Sequence, residues 1–90
     1  MFLFLATLSQ AKTWIVDHQS RLKLIREALT AANPGDTILV RAGVYEEGNI
    51  IVSKSIVLIG EGYPILDGEF KYEVFTVNAS NVTITGFHIR

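Results

Sequence analysis

The sequence predicts an all-β protein, a right-handed parallel β-helix whose first coils are capped by one amphipathic α-helix. Short β-branched apolar runs recur from residue 37 to residue 90, and several connections are very short and lack a hairpin dipeptide such as Asn-Gly. The segments KSIVLIGEG and SNVTITGFH share one pattern, with Gly60 and Gly86 separated by 26 residues. A repeat of this length built from short strands and turns is typical of a solenoid.

The first eleven residues, MFLFLATLSQA, are predicted to be the remnant of a signal peptide. An apolar run is followed by small and polar residues, and Ser9 and Ala11 are spaced like the −3 and −1 positions of a signal-peptidase site. Since Lys12 comes only after the run, the signal is clipped or weak. A buried first strand is the alternative, because the run is too short to span a bilayer. We therefore expect a periplasmic or secreted protein.

Residues 12–90 are predicted to form the N-terminal part of a longer β-helix domain. Thr13–Asp17 is a short strand, and the period then changes to that of a helix, with an apolar stripe formed by Leu22, Ile25, Ala28, Leu29 and Ala32. Ser20 is the expected N-cap, and Asn33-Pro34-Gly35 ends this helix of about three turns. The predicted strands that follow are Thr37–Arg41, Asn49–Ser53, Ser55–Ile59, Pro64–Leu66, Val74–Val77, Asn81–Thr85 and Phe87–Arg90.

Composition excludes several classes of function. The chain of 90 residues is 49% hydrophobic and 19% charged, which is typical of one globular domain. A net charge of −1 offers no basic face, so we expect no nucleic-acid partner. Because the chain has no cysteine, disulfides, zinc–thiolate sites and cysteine nucleophiles are excluded.

Six short blocks of sequence resemble the start of the NosD family. They are Pro34-Gly35-Asp36-Thr37, Gly43-Val44-Tyr45, Glu47-Gly48-Asn49, Ile59-Gly60-Glu61, Leu66-Asp67-Gly68 and Gly86-Phe87, within a match that runs from Trp14 to Arg90. NosD proteins are periplasmic right-handed β-helices required for maturing the copper enzyme nitrous oxide reductase. The opening block also resembles the N-terminal coils of pectin methylesterases, pectate lyases and carbohydrate-binding β-helix proteins.

The resemblance implies an exported, non-catalytic accessory protein. Its partners would be the membrane subunits of an ABC transporter and nitrous oxide reductase or a copper chaperone, in the delivery of metal or sulfur. Copper is implied only for a full-length protein, and no cofactor is expected within these residues. The alternatives are a carbohydrate-binding or polysaccharide-degrading β-helix, similar to pectin lyases and esterases, and a purely structural repeat.

Few side chains qualify as metal ligands or catalytic groups, and we assign none of them such a role. His18 and His88 stand far apart, and copper prefers soft ligands that this chain lacks apart from Met1, so both histidines are interpreted as surface residues. Arg90 is a lyase base by analogy or an exposed strand residue. The carboxylates expected to come closest together are Glu46, Glu47, Asp67 and Glu69. One interpretation is that two of them form an acid–base pair. The alternative is that Asp67 belongs to a turn before Gly68 and that the adjacent Glu46 and Glu47 are solvated at a corner.

Two further features each have a binding and a structural interpretation. The sequons at Asn78 and Asn81 are glycosylation sites or coil corners, and corners are favoured. The aromatic residues Tyr45, Phe70, Tyr72 and Phe75 form a sugar platform or pack, and packing is favoured.

Apolar residues also occupy outward positions, namely Leu39, Ile51, Val57 and Ile59. They predict a surface that is covered by the helix or the N-terminal strand, or that binds a partner.

Overall fold

The computed structural model describes residues 10–69 and 73–90, which form a parallel β-solenoid of about three turns, a right-handed parallel β-helix. This confirms the predicted fold class. The elements are β1 (Thr13–Val16), α1 (Ile25–Ala31), β2 (Thr37–Val40), β3 (Val44–Tyr45), β4 (Ile50–Val52), β5 (Val57–Gly60), β6 (Ile65–Leu66), β7 (Phe75–Val77), β8 (Thr83–Thr85) and β9 (His88–Ile89).

The strands form three parallel sheets, each of which gains one strand per turn of the chain. We name them sheet A, with the order β1-β2-β5-β8, sheet B, with the order β3-β6-β9, and sheet C, with β4 beside β7. All pairings are parallel. In the first turn α1 stands where later turns place strands, and it packs against β1, β2 and β4. The chain therefore turns onward at each corner, which explains the missing hairpin signals.

The core lies inside the solenoid and is built from stacked rows of apolar side chains. One row crosses sheet A through Trp14, Ile38, Leu58 and Ile84, which are partners in register. Ile38 and Leu58 are fully buried. The helix adds Ile25, Ala28 and Leu29, with Ala32 just beyond its end, to the same cluster. The predicted stripe is confirmed at these four positions, whereas Leu22 is only partly buried.

The helix is shorter than predicted and begins later. It has seven residues, its N-cap is Leu24, and the predicted cap at Ser20 is wrong. The Ser20 hydroxyl instead donates to the backbone carbonyls of Asp17 and Leu22, at 3.1 and 2.6 Å. Leu22 also forms a parallel bridge with Val16. Because residues 17–22 are held in this turn, the helix starts only after it.

The internal repeat marks a contact that only glycine permits. Gly60 and Gly86 lie in successive turns, and a Cβ built on either residue would overlap the carbonyl oxygen of the other. Gly86 also has a φ of 85°, in the left-handed region that favours glycine. The 26-residue spacing in the sequence thus reflects direct stacking of two corners.

The predicted signal segment, residues 1–11, lies almost entirely outside the described residues. Within the described part of the chain, no helix is long and apolar enough to cross a membrane.

Candidate functional site

A surface groove runs beside α1 and past β4 and crosses from one turn of the solenoid to the next. One half, of about 410 Å³, is lined by Leu29, Thr30, Ile51, Ser53 and Lys54, together with Arg26 and Asn49. The other half, of about 540 Å³, is also lined by Arg26 and Asn49 and adds Glu46, Glu47, Gly48, Asp67 and Glu69. Since the two halves share Arg26 and Asn49, they adjoin. We call the first the apolar half and the second the acidic half.

Glu47 holds the start of the helix. Its carboxylate accepts hydrogen bonds from the backbone N–H groups of Ile25, at 2.6 Å, and Arg26, at 3.1 Å. The first N–H groups of a helix lack partners within the helix, and Leu24, the N-cap residue, has no side-chain oxygen to offer them. Glu47 is only 8% exposed, so the prediction that it is solvated at a corner is wrong.

Lys54 holds the other end of the same helix. Its ammonium group donates to the backbone carbonyls of Leu29, Thr30 and Ala32, at 2.9, 3.1 and 2.7 Å. Glu47 precedes β4 and Lys54 follows it, so one strand with its flanks presents a negative charge to the helix N-terminus and a positive charge to its C-terminus. Both charges complement the helix macrodipole.

The remaining carboxylates of the acidic half have separate positions and roles. The Asp67 side chain accepts a hydrogen bond from the Glu69 N–H at 2.8 Å, which is the expected turn, and its other oxygen lies 3.4 Å from Arg90 Nε. Arg90 is therefore an exposed partner of this turn. Glu46 and Glu69 are exposed, and their side chains make no hydrogen bond or ion pair with the described residues. The expectation that these four carboxylates come close together is confirmed, because all four line the acidic half of the groove.

The two histidines remain apart. The His18 ring stacks on Tyr45 with centroids 4.6 Å apart, and its Nε2 lies 3.0 Å from the Val44 carbonyl oxygen. His88 lies on β9 and is exposed. Among residues 10–69 and 73–90, no three His, Asp or Glu side chains are grouped so that they could hold a metal ion.

The two members of the predicted aromatic platform that the structure describes, Tyr45 and Phe75, pack against other side chains. Tyr45 is 2% exposed, and its hydroxyl donates to the Arg41 carbonyl at 2.8 Å. Burial raises the pKa of Tyr45, with smaller contributions from Asp17 and Glu47. Phe75 meets Phe87 edge to face. The other two predicted members, at positions 70 and 72, lie outside the described residues.

Asp36 carries a structural role that the sequence did not reveal. Its carboxylate accepts hydrogen bonds from the Lys12 N–H, the Trp14 indole N–H and the Asn33 N–H, each at 2.9 Å. These three hydrogen bonds hold the pKa of Asp36 below its ordinary 3.8. The Lys12 N–H has the largest effect, followed by the Trp14 indole and then the Asn33 N–H. The side chain thereby ties the start of β1 to β2 and to the turn after α1. The only sequence signal was its place in the block Pro34-Gly35-Asp36-Thr37.

Within the bounds of the four described strands of sheet A, the outward side chains are all uncharged. One outward row contains Thr13, Thr37, Val57 and Thr83, and the next contains Ile15, Leu39, Ile59 and Thr85. The helix packs against inward residues such as Ile38, so it does not cover this face. The other predicted cover, the N-terminal segment, lies outside the described residues. Ile51 belongs instead to the groove, where it is 54% exposed.

The two sequons lie at a corner, as favoured from the sequence. Asn78 and Asn81 are both exposed between β7 and β8. Asn81 has a φ of 56°, a left-handed conformation that asparagine tolerates better than most residues.

Comparison of the chain with protein-family models, with curated proteins and with solved structures found no match.

Proposed function

We propose that this chain is a polysaccharide-binding β-helix that holds an extended sugar chain in the groove beside α1. The observation that carries the proposal is a set of hydrogen-bonding groups that line the open groove and are not used by the described part of the fold. The Arg26 guanidinium and the Glu46 and Glu69 carboxylates have no partner there. A ligand rich in hydroxyl groups suits such a lining, because guanidinium and carboxylate groups can each bond to two neighbouring oxygens.

The middle of the groove supports the same ligand. The Thr76 hydroxyl donates a hydrogen bond to Asn49 Oδ1, at 3.0 Å. The side-chain NH₂ group of Asn49 can therefore donate to a ligand in the groove. Beside it, Ile51 exposes an apolar side chain, against which the C–H face of a sugar ring can pack. Sites for small organic ligands combine apolar area with a few polar groups in this way.

Two of the four carboxylates in the acidic half have structural roles. Glycoside hydrolysis generally requires two carboxyl groups at a set separation on either side of the bond that breaks. Glu47 uses both oxygens to cap α1, and Asp67 is engaged by its turn and by Arg90. We propose binding without turnover, in which the two remaining carboxylates, Glu46 and Glu69, accept hydrogen bonds from the ligand.

Affinity electrophoresis and calorimetry of the full chain against a panel of soluble polysaccharides test this proposal. We expect binding that is weakened in Arg26→Gln and unchanged in Arg21→Gln, a control that removes an exposed arginine outside the groove. The proposal fails if no polysaccharide of the panel binds. It also fails if the two variants weaken binding equally.

The outer face of sheet A favours a second candidate function. This is an accessory role of the NosD type, in which the chain acts by contact with a protein partner. An uncharged face with Leu39, Val57 and Ile59 is a surface suited to a protein partner. The identity of that partner, an ABC transporter, nitrous oxide reductase or a copper chaperone, rests on the sequence resemblance alone.

Deletion of the gene tests this second role through nitrous oxide reduction and the copper and sulfide content of the purified reductase. Complementation with Leu39→Lys or Val57→Lys should fail although both variants fold, whereas Gln19→Lys, in an exposed turn, should restore activity. A fully active reductase in the deletion strain would exclude the role. Unfolding of the two lysine variants, seen by circular dichroism, would assign the apolar rows to the fold instead.

A further inference from the structure

Asp36 is a buried carboxylate that forms no ion pair with the described residues. Its side chain accepts hydrogen bonds from three N–H groups, one of which is the backbone N–H of Lys12, at 2.9 Å, and the residue is 2% exposed. The ion pairs within the described part of the chain involve Asp17 and Asp67 instead. Because a buried charge is costly unless it is paired, a positive charge at one of the three donors would stabilise the fold.

The Lys12 nitrogen is the donor that gains a charge when the predicted signal segment is removed. Ser9 and Ala11 have the spacing of a signal-peptidase site, which places the cleaved bond between Ala11 and Lys12. Gln10, Ala11 and Lys12 are exposed and precede β1, so a protease can reach this bond. The Lys12 carbonyl accepts a hydrogen bond from the Thr37 N–H at 2.9 Å, so neighbouring residues hold Lys12 at both its nitrogen and its carbonyl.

We propose that cleavage between Ala11 and Lys12 gives the mature protein an N-terminal ammonium group that forms an ion pair with Asp36. In this hydrolysis the oxygen of one water molecule joins the Ala11 carbonyl carbon, which leaves as a carboxylate. The two protons of that water end on the Lys12 nitrogen, which becomes –NH₃⁺. The hydrogen bond from Lys12 to Asp36 Oδ1 then joins two opposite charges and is strengthened. This pairing does not depend on what the groove binds.

The surroundings of the Lys12 nitrogen accommodate an ammonium group. A shallow cavity of about 150 Å³ lies beside it and is lined by residues 10–12 and 33–36. The cavity has room for water, which can accept hydrogen bonds from the N–H groups of the ammonium that do not face Asp36. Since Asp36 already ties the start of β1 to β2, removal of the signal segment would tighten the first turn of the solenoid.

Digestion of the full chain with a purified bacterial signal peptidase, followed by measurement of the intact mass, tests the position of the cleavage. We expect the loss of residues 1–11 and a product that begins at Lys12. Ala11→Leu should abolish cleavage, because the residue before the cleaved bond is small in such sites, whereas Ala11→Ser should preserve it. An uncleaved chain, or a product that begins at another residue, would overturn the proposal.

Thermal unfolding of the processed chain, with its α-amino group either free or selectively acetylated, tests the ion pair. Acetylation removes the charge and keeps an N–H group that can donate to Asp36. An α-amino group has an ordinary pKa of about 7.7–8.0, which a neighbouring carboxylate raises. The stabilisation is therefore complete below that range and is lost as the pH rises through the raised value. At neutral pH we expect the free form to have a thermal midpoint about 4–8 °C higher. The two midpoints should converge above about pH 10.

Two variants separate the ion pair from other effects of the free amine. Asp36→Asn should remove the difference between the free and acetylated forms, whereas Glu61→Gln, which neutralises an exposed carboxylate, should keep it. If Asp36→Asn does not fold, the pH dependence of the two wild-type forms decides the question. Equal midpoints of these two forms at neutral pH, or a difference that persists unchanged in alkaline solution, would overturn the ion pair.

Discussion

Replacement of Glu47 by Gln tests the polar contact that joins the second turn of the solenoid to its helical cap. The Glu47 carboxylate is nearly buried and accepts two backbone hydrogen bonds, at 2.6 and 3.1 Å, from the first residues of α1. Gln has almost the same shape and keeps one acceptor oxygen. It replaces the other oxygen with an amide NH₂, which places a donor opposite one of the two N–H groups.

The expected cost follows from these contacts. A hydrogen bond to a charged group contributes about 1.5–3 kcal/mol, and a buried N–H left without a partner costs about 1–3 kcal/mol. A negative charge at a helix N-terminus adds about 0.3–1 kcal/mol. Since Gln retains one neutral hydrogen bond, we expect Glu47→Gln to lower the free energy of unfolding by about 2–3 kcal/mol, the net of these terms. That is a large fraction of the roughly 5–15 kcal/mol typical of a domain.

Urea denaturation followed by far-UV circular dichroism and by Trp14 fluorescence measures this change. Glu46→Gln is the matched control, because Glu46 is the exposed neighbour and its replacement should change the free energy of unfolding by no more than about 0.5 kcal/mol. The urea dependence of the free energy should be the same in both variants, so that the midpoints can be compared directly. If the two variants are equally stable, Glu47 does not hold the helix and the reasoning is wrong.

Three further predictions concern the same scaffold. Gly60→Ala places a methyl group against the Gly86 carbonyl and should lower the free energy of unfolding, measured by urea denaturation, by about 1–3 kcal/mol. Gly35→Ala should lower it less, because a Cβ at Gly35 would meet no atom within 4 Å, although the φ of Gly35 is 94°. Lys54→Met keeps the aliphatic stem but removes three hydrogen bonds to the helix end, and should lower the free energy of unfolding by about 1–2 kcal/mol; an unchanged midpoint would contradict this. Because the folded-state pKa of Asp36 lies below its ordinary 3.8, its stabilising contribution is complete above that pH and is lost as the pH falls below it. Asp36→Asn should therefore be less stable than the wild type at neutral pH, and the gap in thermal midpoints should narrow in acid; a constant gap would refute the role of ionisation.

Local patterns in the sequence predicted most of the fold, and non-local contacts caused the errors. Alternation and β-branching located eight of the nine strands that the structure describes, because both signals lie within each strand. The exception is Val44–Tyr45. The helix start was wrong because Ser20 is a good cap by residue type, but Leu22 pairs with Val16 and keeps that stretch out of the helix. Such a bridge has no signature in the sequence.

The candidate site shows the same division. The sequence grouped Glu46 with Glu47, and both line the groove. It could not distinguish the solvated residue from the buried one, since that depends on where the helix, 22 residues earlier, places its first N–H groups. For the same reason the sequence did not reveal Arg26 as part of a groove.

Several residues in the blocks that resemble NosD have structural roles in this fold. The blocks that carry it contain residues with scaffold roles: Asp36 ties the first strands together, Tyr45 packs in the core, Glu47 caps α1 and Gly60 stacks on the next turn. Because the scaffold alone explains these residues, the blocks that contain them predict a β-helix whatever it binds. Of the groove residues that have no partner in the described part of the fold, Arg26 precedes the first block, and Glu46 and Glu69 lie between blocks. Under the proposed binding role, positions outside the six blocks therefore supply most of the groups that are open to a ligand, and variants at those positions test that role most directly.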